Sequence, residues 1–118
     1  MPCFPGCETE KDEKARKECT QRKIMEFVKK NLQYPAMARE GGIEGRVTVT
    51  FVVEKDGTVS GIETMGKLVG GGLEDEAKRI VALMNKMDGG KLKWTPGKQR
   101  GNPARVRYNL PIVFKLSK

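Results

Sequence analysis

The chain has no histidine. That removes His-based triads, His general-base dyads and the common His-containing zinc sites. Cysteine is scarce: Cys3, Cys7 and Cys19 all lie near the amino terminus. No Cys-x-x-Cys spacing occurs, and three thiols without a fourth ligand do not make a structural zinc centre. No apolar run approaches the ~20 residues a membrane span needs, and no signal-peptide core is visible. A complete chain of this kind is expected to be a soluble cytoplasmic protein, whereas an excised domain would have its anchor elsewhere. Aromatics make up only 6%, so the core is expected to be built from Val, Ile, Leu and Met.

Other chemistry is missing as well. Gly66-Lys67-Leu68-Val69-Gly70-Gly71-Gly72 is glycine-rich but lacks the Lys-Ser/Thr ending that cradles phosphate, and it reads as a linker. The carboxylates sit at helix starts and turns, and Asp56 is needed by its turn. No pair of them is expected to face another across a cleft. The chain therefore reads as a non-enzyme, with no cofactor and no metal expected.

The three cysteines fit a disulfide formed in an oxidising compartment, with one thiol left over. Three pairings are possible. A Cys7–Cys19 link would close a small loop and hold the amino-terminal arm against the next helix.

With 118 residues, the chain is long enough for one domain and one modest core. Charged residues make up 32%, and the net charge is +8. No acid follows Asp88, whereas Lys91, Lys93, Lys98, Arg100, Arg105, Arg107, Lys115 and Lys118 do. Such a field favours an acidic peptide, a membrane surface or nucleic acid, and it also serves as a plain solvated face. Nucleic acid is the weak member of that set. The basic strand has no exposed aromatic series to stack bases, because Tyr108 and Phe114 fall on its core face.

Local pattern predicts the elements. Glu8 to Asn31 holds no Gly or Pro, and Ile24, Phe27, Val28 and Leu32 recur at helical spacing. A helix is expected from about Glu13 to Asn31, preceded by an irregular arm, Pro2 to Gly6. Pro35 suits the start of a short helix that Gly41 and Gly42 stop. Arg46 to Val53 alternates, with Val47, Val49, Phe51 and Val53 on one face, as a half-buried strand does. Glu54-Lys55-Asp56-Gly57 is a tight turn, and Thr58 to Met65 returns as the second strand of a hairpin, with Gly61 weakening it or marking a bulge. Leu73, Ala77, Ile80, Val81 and Met84 form a helical stripe that Asp88-Gly89-Gly90 ends. Trp94 to Pro103 reads as a loop.

From Ala104, alternation resumes. Val106, Tyr108, Leu110, Ile112, Phe114 and Leu116 share one face; Arg105, Arg107, Asn109 and Lys115 share the other. Pro111 lacks an N–H, so this strand is expected at a sheet edge or bulged there. An unpaired edge is either guarded against aggregation or used for binding. The expected fold is α+β: a small antiparallel three-stranded sheet with helices packed on one face and an extra amino-terminal helix.

The ordered motifs resemble the C-terminal domain of TonB, the energy transducer of Gram-negative bacteria. They run Tyr34-Pro35-x-x-Ala38, Gly42-Ile43-Glu44-Gly45-Arg46-Val47, Phe51-x-Val53-x-x-Asp56-Gly57-x-Val59, Leu73-x-x-x-Ala77 and Trp94-x-Pro96-Gly97-Lys98, then the last strand. The resemblance covers roughly Asn31 to Leu116. It implies a division into an arm-plus-helix, residues 1–30, and a TonB-like domain, residues 31–118. Phe4-Pro5-Gly6-Cys7 with Cys19 downstream resembles the extended versions of Bacteroidetes-type members, whose two cysteines suit a bridge.

The resemblance further implies a periplasmic domain tied to the inner membrane by a segment this chain lacks. Such a domain captures the TonB box of an outer-membrane receptor as an added strand beside its last strand, and an inner-membrane motor complex supplies the energy. Carried onto this sequence, the expected partner-binding residues are Asn31, Gln33 and Tyr34 before the short helix, and Arg105, Arg107, Asn109, Pro111, Val113 and Lys115 along the last strand. Leu32 is assigned to the core. TonB-like domains also occur on membrane sensor or peptidase-type proteins, and an open edge can pair with a second copy to give a homodimer.

Overall fold

A computed structural model describes residues 2–90 and 93–116. Lys91 and Lys118 lie outside the described residues. Helix α1 spans Glu13–Asn31, with both bounds as the sequence predicts. It starts where Asp12 caps it, the carboxylate accepting from the Ala15 N–H at 2.7 Å. Helix α2, Ala36–Gly41, comes directly after Pro35 and ends at Gly42 in the left-handed conformation.

Strands β1 (Gly45–Val53) and β2 (Val59–Met65) form the hairpin. Gly57, at φ +85°, closes its turn. A side chain there would also collide with the Trp94 carbonyl, only 2.2 Å from where a Cβ would sit. The register slips between Thr50 and Val52, opposite Gly61 at φ +57°. This is the bulge Gly61 foreshadows.

Helix α3 covers Leu73–Leu83 and continues as a 3-10 helix, Met84–Gly90. Trp94 to Pro103 is not simply loop. It folds into a two-stranded ribbon, β3 (Gly97–Gln99) and β4 (Asn102–Ala104), joined by Arg100 and Gly101. Strand β5, Val106–Phe114, completes the main sheet, whose order is β2-β1-β5 with antiparallel pairing throughout. The fold is α+β.

Burial tracks the alternation. Val47, Val49, Phe51 and Val53 of β1 and Leu110, Ile112 and Phe114 of β5 are buried with Leu73, Ala77, Ile80, Val81 and Met84. The core is not purely aliphatic, however. Every aromatic side chain of the chain joins an aromatic contact, and most gather round Trp94. Phe4, Phe51 and Tyr108 lie 5.5, 5.7 and 5.4 Å from its ring, within the range of edge-to-face contact. Few aromatics suffice because they are concentrated at one point.

The arm reaches this point too. Cys3 pairs with Thr95 through two backbone hydrogen bonds of 2.9 and 2.8 Å. The Phe4 N–H donates to the buried Thr20 hydroxyl at 3.1 Å, and the Phe4 ring stands between Phe27 and Trp94. Cys7 and Cys19 form a disulfide with Cα atoms 5.6 Å apart, leaving Cys3 as a buried thiol.

Candidate functional site

β5 lies at the edge of the sheet, as Pro111 predicts, and pairs only with β1 among the described residues. The register runs unbroken from Gly45↔Phe114 to Val53↔Val106, straight through Thr48↔Pro111. Successive strand residues turn their N–H and C=O groups alternately to one neighbour and the other. An unbroken ladder through a residue without an N–H therefore puts Pro111 in the outward row. Arg107, Asn109 and Val113 share that row. Their side chains are exposed, whereas those of Leu110, Ile112 and Phe114 are buried. One set of residues thus supplies both the exposed side chains and the unpaired backbone groups of the edge. N–H donors stand at Arg107, Asn109 and Val113; carbonyl acceptors stand at these three and at Pro111.

The opposite edge is closed at its start. The Asn85 amide meets both backbone groups of Val59 in β2, and the bulge at Gly61 distorts the strand beyond it. No local sequence signal links Asn85 to Val59.

The cations of the β5 face are not equivalent. Arg105 is bound to Glu54 by two hydrogen bonds, Nε to Oε1 at 2.6 Å and Nη2 to Oε2 at 3.2 Å. Those bonds, together with a short one from the Ser60 hydroxyl, hold the Glu54 carboxyl below the usual glutamate range. Arg107 donates to the Thr50 hydroxyl at 3.0 Å and meets no carboxylate among the described residues. Lys115 lies just beyond β5 and is exposed.

The segment Asn31–Tyr34 is not on this edge strand. It leaves α1 and is clamped from α3. Glu76, 8% exposed, accepts the Gln33 N–H at 2.7 Å and both Nε and Nη2 of Arg79 at 2.7 Å. Arg79 Nη2 also donates to the Asn31 carbonyl at 2.8 Å. Burial works to raise the Glu76 carboxyl pKa, but the Arg79 and Gln33 donors outweigh it and hold it below the usual range. Gln33 is exposed, Asn31 and Leu32 are half-buried, and Tyr34 packs edge-on against Phe114 at 6.0 Å. The Tyr34 hydroxyl donates to the Ile43 carbonyl, and burial, then the Glu44 charge, raises its pKa. Tyr34 thus joins the segment to the end of β5. The Glu76–Arg79 clamp escapes sequence reading because Glu76 looks like an ordinary first-turn acid.

Among the described residues, no group of three His, Cys, Asp or Glu side chains is placed to hold a metal ion. No described helix is long and apolar enough to cross a membrane.

A three-stranded antiparallel sheet, helices on one face and one open edge define a class: small α+β domains with an exposed final strand. Within it, the family described as Gram-negative bacterial TonB protein C-terminal matches residues 30–116, and the chain belongs to that family. The arm and most of α1 precede the match. Two solution structures of the Helicobacter pylori TonB C-terminal domain are similar. The shorter shares 25% identity at a TM-score of 0.59, covering 82% of this chain and 94% of that one. The longer shares 24% at 0.53, covering 82% and 80%. Among curated proteins, none matches this chain.

Proposed function

We propose that this chain is the periplasmic domain of a TonB-type energy transducer. It takes the TonB box of an outer-membrane receptor as a strand beside β5 and transmits inner-membrane proton-motive energy to the receptor, driving substrate import. The observation that carries this reading is the coincidence of the unpaired backbone row with the exposed row Arg107, Asn109, Pro111, Val113. Strand addition works through such backbone groups and tolerates varied partner sequences.

Force transmission suits this edge. A pull along the docked strand loads several hydrogen bonds together, each worth about 1 kcal/mol at equilibrium. On the other side β5 is fixed to β1 along its whole length. Asn31, Gln33 and Tyr34 supply a second contact, held by the Glu76–Arg79 clamp, and residues 31–118 act as the receptor-binding unit. Arg107 is the cation available to an acidic residue of the partner, whereas Arg105 must first leave Glu54. The Cys7–Cys19 disulfide suits an oxidising compartment. The motor proteins would engage through the membrane-anchoring segment of the transducer. Antiparallel pairing of two β5 edges about Pro111 would set Arg107 of one copy against Lys115 of the other, with no acid in the row, which favours a different partner over a homodimer.

The test is a titration of isotope-labelled domain with a TonB-box peptide from a receptor of the same organism. Amide shifts at Arg107, Asn109 and Val113 are expected. Shifts confined to Asn31–Tyr34 would overturn the reading.

A further inference from the structure

We propose that the tip of the β3–β4 ribbon and the β1–β2 turn form a carboxylate-binding shelf. It takes an acidic stretch of the partner polypeptide immediately flanking the strand docked on β5. The inference rests on the strand-addition reading and adds the partner's flanking chemistry to it.

Arg100 has φ +54° and is the only described non-glycine residue with positive φ. It and Gly101 form the two-residue connection between Gln99 and Asn102. Two-residue hairpin turns with both central φ values positive favour Asn-Gly or Asp-Gly, because short polar side chains or none tolerate that backbone. Arginine gains nothing locally in this place. It does put a guanidinium at the exposed tip.

The tip faces the β1–β2 turn across a concavity of about 440 Å³ lined by Lys55, Gln99, Arg100, Asn102 and Arg105, among others. The nearby acids are already committed. Glu54 neutralises Arg105, and Asp56 accepts from the Thr58 hydroxyl and N–H at 2.7 and 3.0 Å. Lys55 and Arg100 meet no carboxylate among the described residues. Two cations without an ion-pair contact among the described residues and two side-chain amides therefore line one shallow surface, with the exposed Asp56 carboxylate nearby. Its Ala104 and Arg105 lead directly into Val106, the first residue of β5. A strand docked along β5 leaves the edge at this shelf.

The shelf has no aromatic ring to stack a base and no large apolar side chain to enter a bilayer. Its donors fit carboxylates presented on extended chain.

The test uses isotope-labelled protein, phosphatidylglycerol vesicles and four peptides: hexaglutamate, hexaglutamine, and an alternating Val-Thr strand carrying a run of either four glutamates or four glutamines. Hexaglutamate is expected to move the amides of Lys55 and Gln99–Asn102 at about 50 mM salt and not at about 300 mM, with no response to hexaglutamine. The Glu-flanked strand should bind roughly three- to tenfold more tightly than the Gln-flanked one. The double variant R100N/K55Q should erase that preference while leaving the Gln-flanked strand unaffected. R100N gives the turn its favoured Asn-Gly pair, so a folding defect is not expected, and an unchanged or higher Tm checks this.

Equal binding of the two strands, or a preference that survives R100N/K55Q, would overturn the shelf. So would a lack of hairpin response to hexaglutamate, and a response only to phosphatidylglycerol vesicles would reassign the surface to a membrane. Hairpin shifts with hexaglutamate but no β5 shifts with either strand would instead defeat strand docking and leave carboxylate binding standing.

Discussion

Asn85 stands against Val59 as a neighbouring strand would. Its Oδ1 accepts the Val59 N–H at 2.7 Å, and its Nδ2 donates to the Val59 carbonyl at 2.8 Å. The first residue of β2 is thereby closed to any incoming chain, although β2 is an edge strand. β5, at the other edge, has no such guard among the described residues. The difference between the edges lies in one side chain and one bulge, and it leaves β5 as the place for a partner.

Asn85→Ala removes both bonds and leaves the Val59 backbone groups to water. A loss of about 1–2 kcal/mol is expected, because a half-exposed site recovers part of its hydrogen bonding from solvent. Urea unfolding measures the loss, and hydrogen exchange should show the Val59 amide losing protection while the β1–β5 ladder keeps it. Unchanged protection at Val59 would mean that the side chain does not guard the edge.

The disulfide should act through the arm. Its sequence separation of 12 predicts a contribution of about 3 kcal/mol from loop closure. Replacing Cys7 and Cys19 together by serine releases Pro2–Gly6, and Phe4 withdraws from Trp94. Trp94 is 2% exposed, and among the described residues its indole N–H has no hydrogen-bond partner. The double variant is expected to show red-shifted Trp94 emission and quenching by acrylamide. Emission identical to the parent would show that the Cys3–Thr95 pairing holds the arm without the bridge.

Glu76 gives the fold an acid-sensitive contact. Its folded pKa lies below the unfolded value, so the unfolded chain takes up the proton first as pH falls. The stabilisation is complete above the unfolded pKa of about 4 and disappears as pH drops through the lower folded value. Glu76→Gln keeps the size and an acceptor for the Gln33 N–H but loses the charge facing Arg79. Because Arg79 is 38% exposed, the loss at neutral pH is expected to be about 1–2 kcal/mol. Urea unfolding across pH should show the two proteins converging below pH ~4. A constant gap at all pH values would point to packing as the cause.

Much of this arrangement is legible in the sequence because it is local. The bounds of α1, the alternation of β1, the bulge at Gly61 and the edge position of β5 each derive from neighbours within one element. The ribbon β3–β4 is not legible, since three-residue strands carry no alternation and Pro103 lies inside one of them. Its turn lacks the Asn-Gly signal as well. The contacts of Asn85 with Val59 and Glu76 with Gln33 span 26 and 43 residues. The ring cluster at Trp94 draws Phe4, Phe51 and Tyr108 from distant segments. Long-range packing of this kind leaves no spacing to read. For the candidate site, the residue set on β5 is readable, but the division of labour between Arg105 and Arg107 depends on where Glu54 falls.

Pro111 provides the sharpest test of the edge. It occupies the outward row, so a strand docked on β5 finds a carbonyl there but no donor. The row is split into a pair of donors at Arg107 and Asn109 and a single donor at Val113. Pro111→Thr would supply the missing N–H without touching the β1 ladder, and threonine suits an exposed strand position. The variant is expected to stay folded with a similar Tm. Its edge should become more adhesive, gaining about one hydrogen bond, or roughly 1 kcal/mol and a fivefold tighter hold on any added strand. Sedimentation should also reveal more self-association than in the parent, because the proline no longer interrupts an uninvited β5–β5 pairing. If Pro111→Thr instead destabilises the protein with peptide binding unchanged, the proline is a fold element of β5 and the open row lies elsewhere.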